Sequence, residues 1–312
     1  MPTKNDVRRL DFKIEILNQN PKTGYFEFRL IPDPERYEIR EHKGKKYYYD
    51  KFDDFYITLE TITKAMKNVR LPIYYLPPKN ENIDSLLLSR TDEIKSFLNG
   101  NEQRYRPHDK SERFLSSLKK RSIKHVILSI DLKGSTRMSQ ALNEQDYAKI
   151  LTLFSKEMTI IVNNFNGFVL KTLGDGLVCY FPEPNFIGMN DNAVNCAFIM
   201  KKFIVCCLNP ILKDYKFPEL KFRMGLDSGE AIKVIMGAEN VKEHLDLVGE
   251  TINIATKIQS LAGENDIFLG ESTVLNVHTY WRKKIKKVEM PSKWEYVDKK
   301  TNKPYQVYRL MA

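Results

Sequence analysis

The chain has 312 residues, of which 42% are hydrophobic and 11% aromatic, so it can form the cores of about two domains and is not predominantly disordered. Its formal net charge of +10 suits an anionic partner without choosing among nucleic acid, nucleotide and lipid. Apolar runs such as 126–130 are far shorter than the roughly 20 residues that span a bilayer, and the N-terminus has no apolar signal core. These features predict a cytoplasmic protein without a membrane partner.

The first part of the chain favours a small α+β domain over residues 1–98. Short alternating segments dominate it, and the stretch 25–30 follows a turn-like segment at 21–24, which predicts a strand. A polar stretch at 99–110 has the composition of a linker. With a short helix predicted over 111–120, the segment 99–121 leads to a second domain at 122–312.

The second domain begins with a regular pattern. A continuous apolar strand at 126–130 ends at Asp131, and a helix is predicted from an apolar stripe at three- and four-residue steps between 147 and 165. Two strands then form a predicted hairpin, at 168–173 and 177–181, whose tip carries Asp175 between two glycines.

The remaining elements complete a recognisable order. We predict a helix over 192–207, strands at 221–226 and 231–235, and a helix over 250–261. The order βαββαβ predicts a ferredoxin-like core with extensions, in an α+β protein. The four cysteines fall within predicted strand and helix, so we expect reduced thiols in the core rather than a disulfide framework.

Two aspartates indicate chemistry in this core. Asp131 and Asp175 stand at strand ends beside glycines, and paired carboxylates select Mg²⁺ or Mn²⁺. A single aspartate near glycine is more often a turn residue. Here, however, Gly134, Ser135 and Thr136 follow at the start of a helix, where free N–H groups bind phosphate oxygens.

Four collinear segments carry a resemblance that covers about residues 124–277. They are SIDLKGST at 129–136, KTLGDG at 171–176, MGLDSGEA at 224–231 and DLVGETINIATK at 246–257. In this order they resemble the catalytic domain of the class III nucleotidyl cyclases, the adenylate and guanylate cyclase family. The resemblance implies a metal-dependent enzyme that makes a cyclic nucleotide and pyrophosphate from a nucleoside triphosphate.

The resemblance assigns roles to individual residues. Asp131 and Asp175 match the metal-binding aspartates of a site with two Mg²⁺ or Mn²⁺ ions, and Leu132 joins this metal set. Lys171 and Asp246 match the pair that reads the nucleobase. Two alternatives stay open, because Lys171 can instead pair with Asp175 across the hairpin and Asp246 can cap a turn.

The helix after Gly249 carries further matches. Asn253 matches the asparagine that positions the ribose, and Lys257 stands where the family normally has an arginine that stabilises the transition state. Lysine keeps the charge but lacks the planar fork of arginine, so we expect slow turnover. The alternative is that Lys257 is a solvated lysine with no role in the reaction. Lys303 weakly matches the lysine that binds the triphosphate.

The pattern of donors and acceptors restricts the base. A lysine donor beside an aspartate acceptor fits an amino group next to an unprotonated ring nitrogen, as on adenine or cytosine, whereas uracil and guanine present the reverse order. The form of the first motif and the altered arginine position also look like the pyrimidine cyclases of bacterial antiphage systems (Pycsar). This looser resemblance favours CTP or UTP as substrate and a separate effector that binds the cyclic product.

Three other expectations complete the sequence interpretation. The resemblance implies a homodimer in which one copy supplies the metal aspartates and the other copy the base, ribose and transition-state residues. A soluble adenylate cyclase and a cyclase-like nucleotide-binding module without activity remain as alternatives. The basic stretch 282–287 is more typical of a solvated strand edge than of a nucleic-acid patch, so nucleic acid is an unlikely partner.

Overall fold

A computed structural model describes residues 9–19, 22, 26–62, 83–101, 110–119, 121–183, 188–238, 242–299 and 302–311. Most of the predicted linker at 99–110 lies outside these residues. The chain divides into two compact units. The smaller contains the described residues up to 62 together with 275–284, and the larger contains 83–274 and 285–311.

The smaller unit is built from two antiparallel sheets. Its strands are β1 (Phe12–Gln19), β2 (Phe26–Pro32), β3 (Tyr37–His42), β4 (Lys45–Asp50) and β5 (Phe55–Thr58). β1 pairs with β2, and β3, β4 and β5 pair in sequence order. Tyr37, Tyr48, Ile57 and Ile62 form its apolar core. The strand predicted at 25–30 is confirmed as β2.

A buried ion cluster lies beside this core. The side chain of Arg36 is 0% exposed, and it contacts Asp50 at 2.7 Å, Asp11 at 3.0 Å and Asp53 at 3.3 Å. Burial opposes the ionisation of Asp11, yet the Arg9 and Arg36 guanidinium groups hold the pKa of that carboxyl below its usual value. Each buried charge therefore has a partner of opposite sign, which its burial requires.

The larger unit contains one mixed sheet surrounded by helices. Its strands are β6 (Ser122–Leu132), β7 (Phe168–Leu173), β8 (Gly176–Pro182), β9 (Phe222–Ala238), β10 (Lys242–Val248), β11 (Asp266–Gly270), β12 (Ile285–Lys287) and β13 (Val307–Leu310). The order is β12-β13-β11-β9-β6-β8-β7, and β10 pairs with β9. Among these strands, β11 runs parallel to β9 and the other pairs are antiparallel.

Helices complete both units. They are α1 (Ile83–Leu98), α2 (Lys110–Ser117), α3 (Ser135–Ala141), α4 (Glu144–Asn164), α5 (Met189–Phe203), α6 (Asn209–Asp214), α7 (Glu250–Leu261), α8 (Glu271–Val274) and α9 (Thr279–Arg282), of which α9 belongs to the smaller unit. The α+β class and the βαββαβ order of the core are confirmed, and α7 has the predicted bounds. The predicted hairpin is the antiparallel pair β7 and β8.

The expectation of two separate strands at 221–226 and 231–235 is wrong. β9 is one continuous strand of 17 residues, whose first part pairs with β6 and whose last part pairs with β10. Gly225 lies in the first predicted strand and Gly229 lies between the two, and neither glycine ends β9. Both glycines are instead places where a neighbouring helix lies against the strand, since an added Cβ at either would meet α7 at 2.4 Å or less.

α1 lies with the larger unit, whereas the sequence analysis places it in the N-terminal domain. Arg90 of α1 forms two hydrogen bonds, of 2.7 and 2.8 Å, with Glu157 of α4, and the Glu157 side chain is 1% exposed. A buried pair of this kind ties the helix to its neighbour, because either charge alone would be left without a partner. The boundary between the two units therefore lies before α1.

Among the residues that the structure describes, one stretch is long and apolar enough to cross a bilayer. It is the continuous helical run Met189–Asp214, of 26 residues, in which α5 and α6 are joined by a π-helical turn at Ile204–Leu208. Its most apolar window is 61% buried inside the protein, which is typical of a core helix. Of the cysteines, Cys206 in this turn is exposed, contrary to the expected core position, whereas Cys179 and Cys196 are buried.

Candidate active site

Three adjacent strands bring the predicted metal residues together. Asp131 lies near the end of β6, opposite Gly176 of β8 on one side and Arg223 of β9 on the other. Asp175 occupies the turn between β7 and β8, and its carbonyl accepts a hydrogen bond of 3.3 Å from the Leu132 amide. The sheet register therefore places Asp131, Leu132 and Asp175 side by side.

The Asp131 carboxylate is held in a partly hydrated environment. Arg223 donates to it at 2.7 Å, and Gln259 of α7 donates at 3.5 Å. Burial raises the pKa of Asp131 above its usual value and the charge of Asp175 acts in the same direction, whereas Arg223 opposes the rise. The side chains of Asp131 and Arg223 remain 25% and 29% exposed, so solvent and ligands reach them.

A cleft of about 220 Å³ opens next to this group. Its floor includes Asp131 and Gly176, and one wall is formed by Thr256, Lys257 and Ser260 of α7. Lys257 is exposed on this helix. One chain thus brings an acidic strand end and the Lys257 side of α7 to the same opening.

Lys171 and Asp246 are paired directly, although 75 residues separate them in sequence. The Lys171 ammonium of β7 donates to the Asp246 carboxylate of β10 at 3.0 Å, with side-chain exposures of 38% and 11%. The second carboxylate oxygen accepts from the Leu247 amide at 2.8 Å. Lys171 therefore pairs with Asp246 and not with Asp175 across the hairpin, and the role of the pair in reading the base stays a prediction.

The other predicted residues lie apart from the lining of the cleft. Asn253 is exposed on α7, one helical turn before Lys257, and Gly134, Ser135 and Thr136 form the start of the short α3. Lys303 lies beside the bridge between Val297 and Pro304, and its carbonyl accepts from the Asp298 amide at 2.8 Å. Their roles in binding substrate stay predictions.

The sequence analysis missed Arg223 and Gln259. Arg223 is a single charged residue within the apolar segment FRMGL, and such a charge in a central strand is a signal of a buried or functional partner. Its Nε atom is buried with no hydrogen-bond partner among the described residues. The partner at Asp131 is 92 residues away, so sequence spacing does not indicate it.

The donor set is compatible with Mg²⁺ or Mn²⁺. The described residues contain no group of three or more His, Cys, Asp or Glu side chains suited to a metal cage. Two carboxylates beside a peptide carbonyl fit a cation that keeps water and substrate phosphates among its ligands, which is the habit of Mg²⁺. The guanidinium of Arg223 on Asp131 shows that this carboxylate attracts a cation.

Comparison with known sequences identifies a family. The profile for the adenylate and guanylate cyclase catalytic domain matches residues 118–310, which is more than half of the chain. A cytidylate cyclase of Escherichia coli is 25% identical over 173 residues, covering 52% of this chain and 37% of that protein. An adenylate cyclase of Anabaena cylindrica is 24% identical over 163 residues, covering 49% of this chain and 30% of that protein.

A uridylate cyclase of Rhodovulum sp. is 25% identical over 153 residues, covering 46% of this chain and 62% of that protein. The chain thus spans only part of the length of the relatives that it matches. Among solved structures, the adenylyl cyclase CyaB from P. aeruginosa has a TM-score of 0.53 at 21% identity, covering 62% of this chain and 97% of that one. The guanylyl cyclase Cya2 has a TM-score of 0.51 at 20% identity, covering 61% and 92%. At these identities the structures establish the fold of the larger unit.

Proposed function

Because the chain belongs to the adenylate and guanylate cyclase catalytic domain family, we propose that it is a metal-dependent nucleotide cyclase. Its reaction would convert a ribonucleoside triphosphate into a 3′,5′-cyclic nucleotide and pyrophosphate. The observation that carries the proposal is the juxtaposition of Asp131, Leu132 and Asp175 beside Arg223 at the mouth of a cleft.

Within this proposal the protein binds the metal ions, orients the nucleotide and neutralises the charge of its phosphates. Asp131, Asp175 and the Leu132 carbonyl would hold two Mg²⁺ or Mn²⁺ ions. When bound, such ions acidify the ribose 3′-hydroxyl and neutralise the departing pyrophosphate. Arg223 and the first turn of α3, at Ser135 and Thr136, supply positive charge and N–H groups near the polyphosphate.

Substrate orientation would fall to the exposed side of α7. Asn253 would position the ribose, and Lys257 would stabilise the negative charge that develops at the transferred phosphate. Lys303 is assigned to the triphosphate on the resemblance alone. Lysine binds phosphate as a point charge without the two-pronged geometry of arginine, so we expect modest turnover.

For the base, we propose cytosine. The Lys171 donor and the Asp246 acceptor match the amino group and ring nitrogen of cytosine or adenine. Similarity to proteins named cytidylate cyclase favours CTP, and similarity to a protein named adenylate cyclase keeps ATP as the alternative. UTP is the weaker pyrimidine candidate, because uracil presents a carbonyl and a ring N–H to this pair.

The biological role that we propose is signalling in bacterial antiphage defence, in the cytoplasm. Its support is the form of the SIDLKGST motif and the substituted arginine position, which look like the pyrimidine cyclases of such systems. The cyclic product would then activate a separate effector protein. A gene for a small membrane-disrupting or nuclease-like protein beside this one would favour this role.

Incubation of the purified protein with each of the four ribonucleoside triphosphates and Mn²⁺, followed by chromatography, tests activity and base together. We expect cyclic CMP as the main product. A Lys171→Glu variant should lose the preference for amino-bearing bases. An unchanged product profile in that variant would show that base selection lies elsewhere.

We also propose a homodimer. Apolar side chains are exposed on the β7–β8 turn and on the β9–β10 hairpin, where Ile232 pairs directly with Val248. They include Leu173, Ile235 and Met236, and such exposed apolar groups favour burial against a second copy.

Complementation tests the shared site. Asp131→Ala and Asn253→Ala variants should each be inactive, and a mixture should regain about one quarter of the wild-type rate, because half of the dimers are mixed and each holds one intact site. Mixing Asp131→Ala with Asp175→Ala provides the control, which should stay inactive. Equal rates in both mixtures would contradict a site shared between copies.

A nucleotide-binding module without turnover is the second candidate, and the lysine at position 257 is the observation that favours it. It predicts saturable nucleotide binding and no cyclic product from the wild type under any of the four conditions. Retention of both metal aspartates argues against it.

A further inference from the structure

Residues 275–284 lie within the region matched by the cyclase family, yet their contacts place them in the smaller unit. We call this segment the strap. The Arg9 amide donates to the Leu275 carbonyl at 3.4 Å. The Asp11 carboxylate accepts from the Thr279 amide at 3.1 Å and from its hydroxyl at 2.8 Å. A piece of the catalytic domain is thereby held by residues near the start of the chain.

The strap shares its partners with the buried ion cluster. Arg282 pairs with Asp53, and the two side chains are 8% and 5% exposed. Asp11 and Asp53 are also the partners of Arg36. Because Arg282 is nearly buried, the expectation of a solvated basic stretch is wrong for this residue. Any rearrangement of the cluster must therefore change the bonds that hold the strap.

The chain immediately before the strap is fixed to β9. α8 precedes the strap directly, and its Ser272 amide donates to the Tyr305 hydroxyl at 2.9 Å. That hydroxyl donates to the buried Asp227 carboxylate of β9 at 2.6 Å. The Thr273 hydroxyl is 2.8 Å from that of Ser228, also on β9. α8 is thus bonded directly to Ser228 of the strand and, through the Tyr305 hydroxyl, to Asp227.

β9 in turn carries part of the candidate active site. Arg223, which contacts Asp131, lies four residues before Asp227 on the same strand. An added Cβ at Gly225 would lie 2.4 Å from the Ala255 carbonyl, so the strand backbone rests directly on α7. α7 bears Asn253 and Lys257, and close-packed elements of this kind transmit displacements.

We propose that the smaller unit regulates the cyclase site through the strap. A ligand or partner that tightens or loosens the ion cluster around Arg36 would move the strap, then α8 and β9, and thereby the residues at Asp131 and on α7. This inference concerns regulation and rests on the proposed cyclase function. Its mechanism is a positioning effect, since strap residues touch no substrate.

An Arg282→Ala variant tests the connection. We expect kcat to fall about fivefold, the lower end of typical coupling between sites, with KM changed less than twofold. Amide hydrogen exchange should increase in 271–274 and in 222–228, as well as in the strap. Arg282→Lys, which keeps the charge, should restore at least half of the rate.

Two controls keep the test decisive. Arg40→Ala removes an arginine of the smaller unit that is paired with Glu38 at an exposed position, and it should change neither kcat nor exchange in β9. Thr279→Val removes one hydrogen bond to Asp11 while keeping the shape of the side chain. If Arg282→Ala fails to fold, Thr279→Val takes its place in the test, and we expect it to lower kcat by a smaller factor.

Increased exchange confined to the smaller unit, with kcat unchanged in folded variants, would overturn the regulatory inference. Absence of cyclic product from the wild type would instead contradict the proposed function. In that case the exchange measurement still reports whether the strap is coupled to β9, so the two failures are distinguishable.

Discussion

The ion cluster around Arg36 and the carboxylates at Asp131 and Asp175 are both built from opposing charges, but water reaches them very differently. Arg36 and its three aspartates are 0–5% exposed and bonded to one another. Asp131 and its partner Arg223 are 25% and 29% exposed. Fully buried ion clusters contribute to the stability of the fold, whereas a partly exposed carboxylate can still bind a ligand from solvent.

The largest effect should come from the open group. Asp131→Asn keeps the size of the side chain but removes a metal-binding charge, so product formation should fall roughly thousandfold. The rate of cyclic nucleotide formation measures it, and thermal unfolding should be nearly unchanged. Asp92→Asn, on the exposed face of α1, is the matched control and should retain activity. A variant with more than a tenth of wild-type activity would refute the metal assignment.

A substitution in the buried cluster around Arg36 should change the stability of the protein. Arg36→Ala leaves three buried carboxylates without their central cation, which should lower the free energy of unfolding by about 3–5 kcal/mol. Urea unfolding monitored by tryptophan fluorescence measures this change, since Trp281 lies in the strap. Arg40→Ala, at an exposed pair, should leave the unfolding midpoint in place. Equal stability of the two variants would show that the cluster is not structural.

Asp227 is a buried carboxyl group without a cationic partner among the described residues, and it extends the comparison to the pH dependence of stability. Burial raises the pKa of Asp227 to about 7, and the hydrogen bond from Tyr305 only partly opposes this. Because the unfolded group ionises near pH 4 while the folded one keeps its proton, stability should decrease as pH rises from about 4 to about 7.

Asp227→Asn should abolish this dependence. We expect the variant to be more stable than the wild type at pH 8, by an amount on the order of 4 kcal/mol at most, and similar to it at pH 4. Urea unfolding at the two pH values provides the measurement. A wild-type protein whose stability is flat or rises over this interval would contradict the closed state of Asp227.

The smallest effect should come from Lys257. Lys257→Arg restores the planar fork at an exposed position of the cleft, so we expect a three- to tenfold higher rate of cyclisation with an unchanged fold. Steady-state kinetics with Mn²⁺ provide the measurement. A lower rate would indicate that the site is shaped around lysine.

The sequence was informative wherever local pattern decides structure. The spacing of apolar residues predicts α7 to its ends, and the glycines around Asp175 predict the hairpin that presents it. β9 was predicted as two strands with Gly229 in the gap between them, although packing against α7 requires a glycine there and at Gly225. Local pattern does not reveal which helix lies against a strand.

Long-range partners limited the prediction of the site. The opposed positions of Asp131 and Arg223 follow from the register of β6 and β9, which single-sequence periodicity does not fix. The capture of residues 275–284 by the smaller unit has no local signal at all, because Asp11 and Thr279 are 268 residues apart. Lys171 and Asp246 were expected to act together only through the family motifs, since 75 residues separate them in sequence.

The discontinuous composition of the smaller unit also affects its biosynthesis. Its strands β1–β5 are translated first, but Thr279 and Arg282 leave the ribosome more than 200 residues later, which corresponds to roughly 10–40 s of elongation. During that interval Asp11 and Asp53 lack two of their native partners. The first-made unit is therefore completed last, and truncated translation products that end before the strap should be preferred substrates for proteases and chaperones.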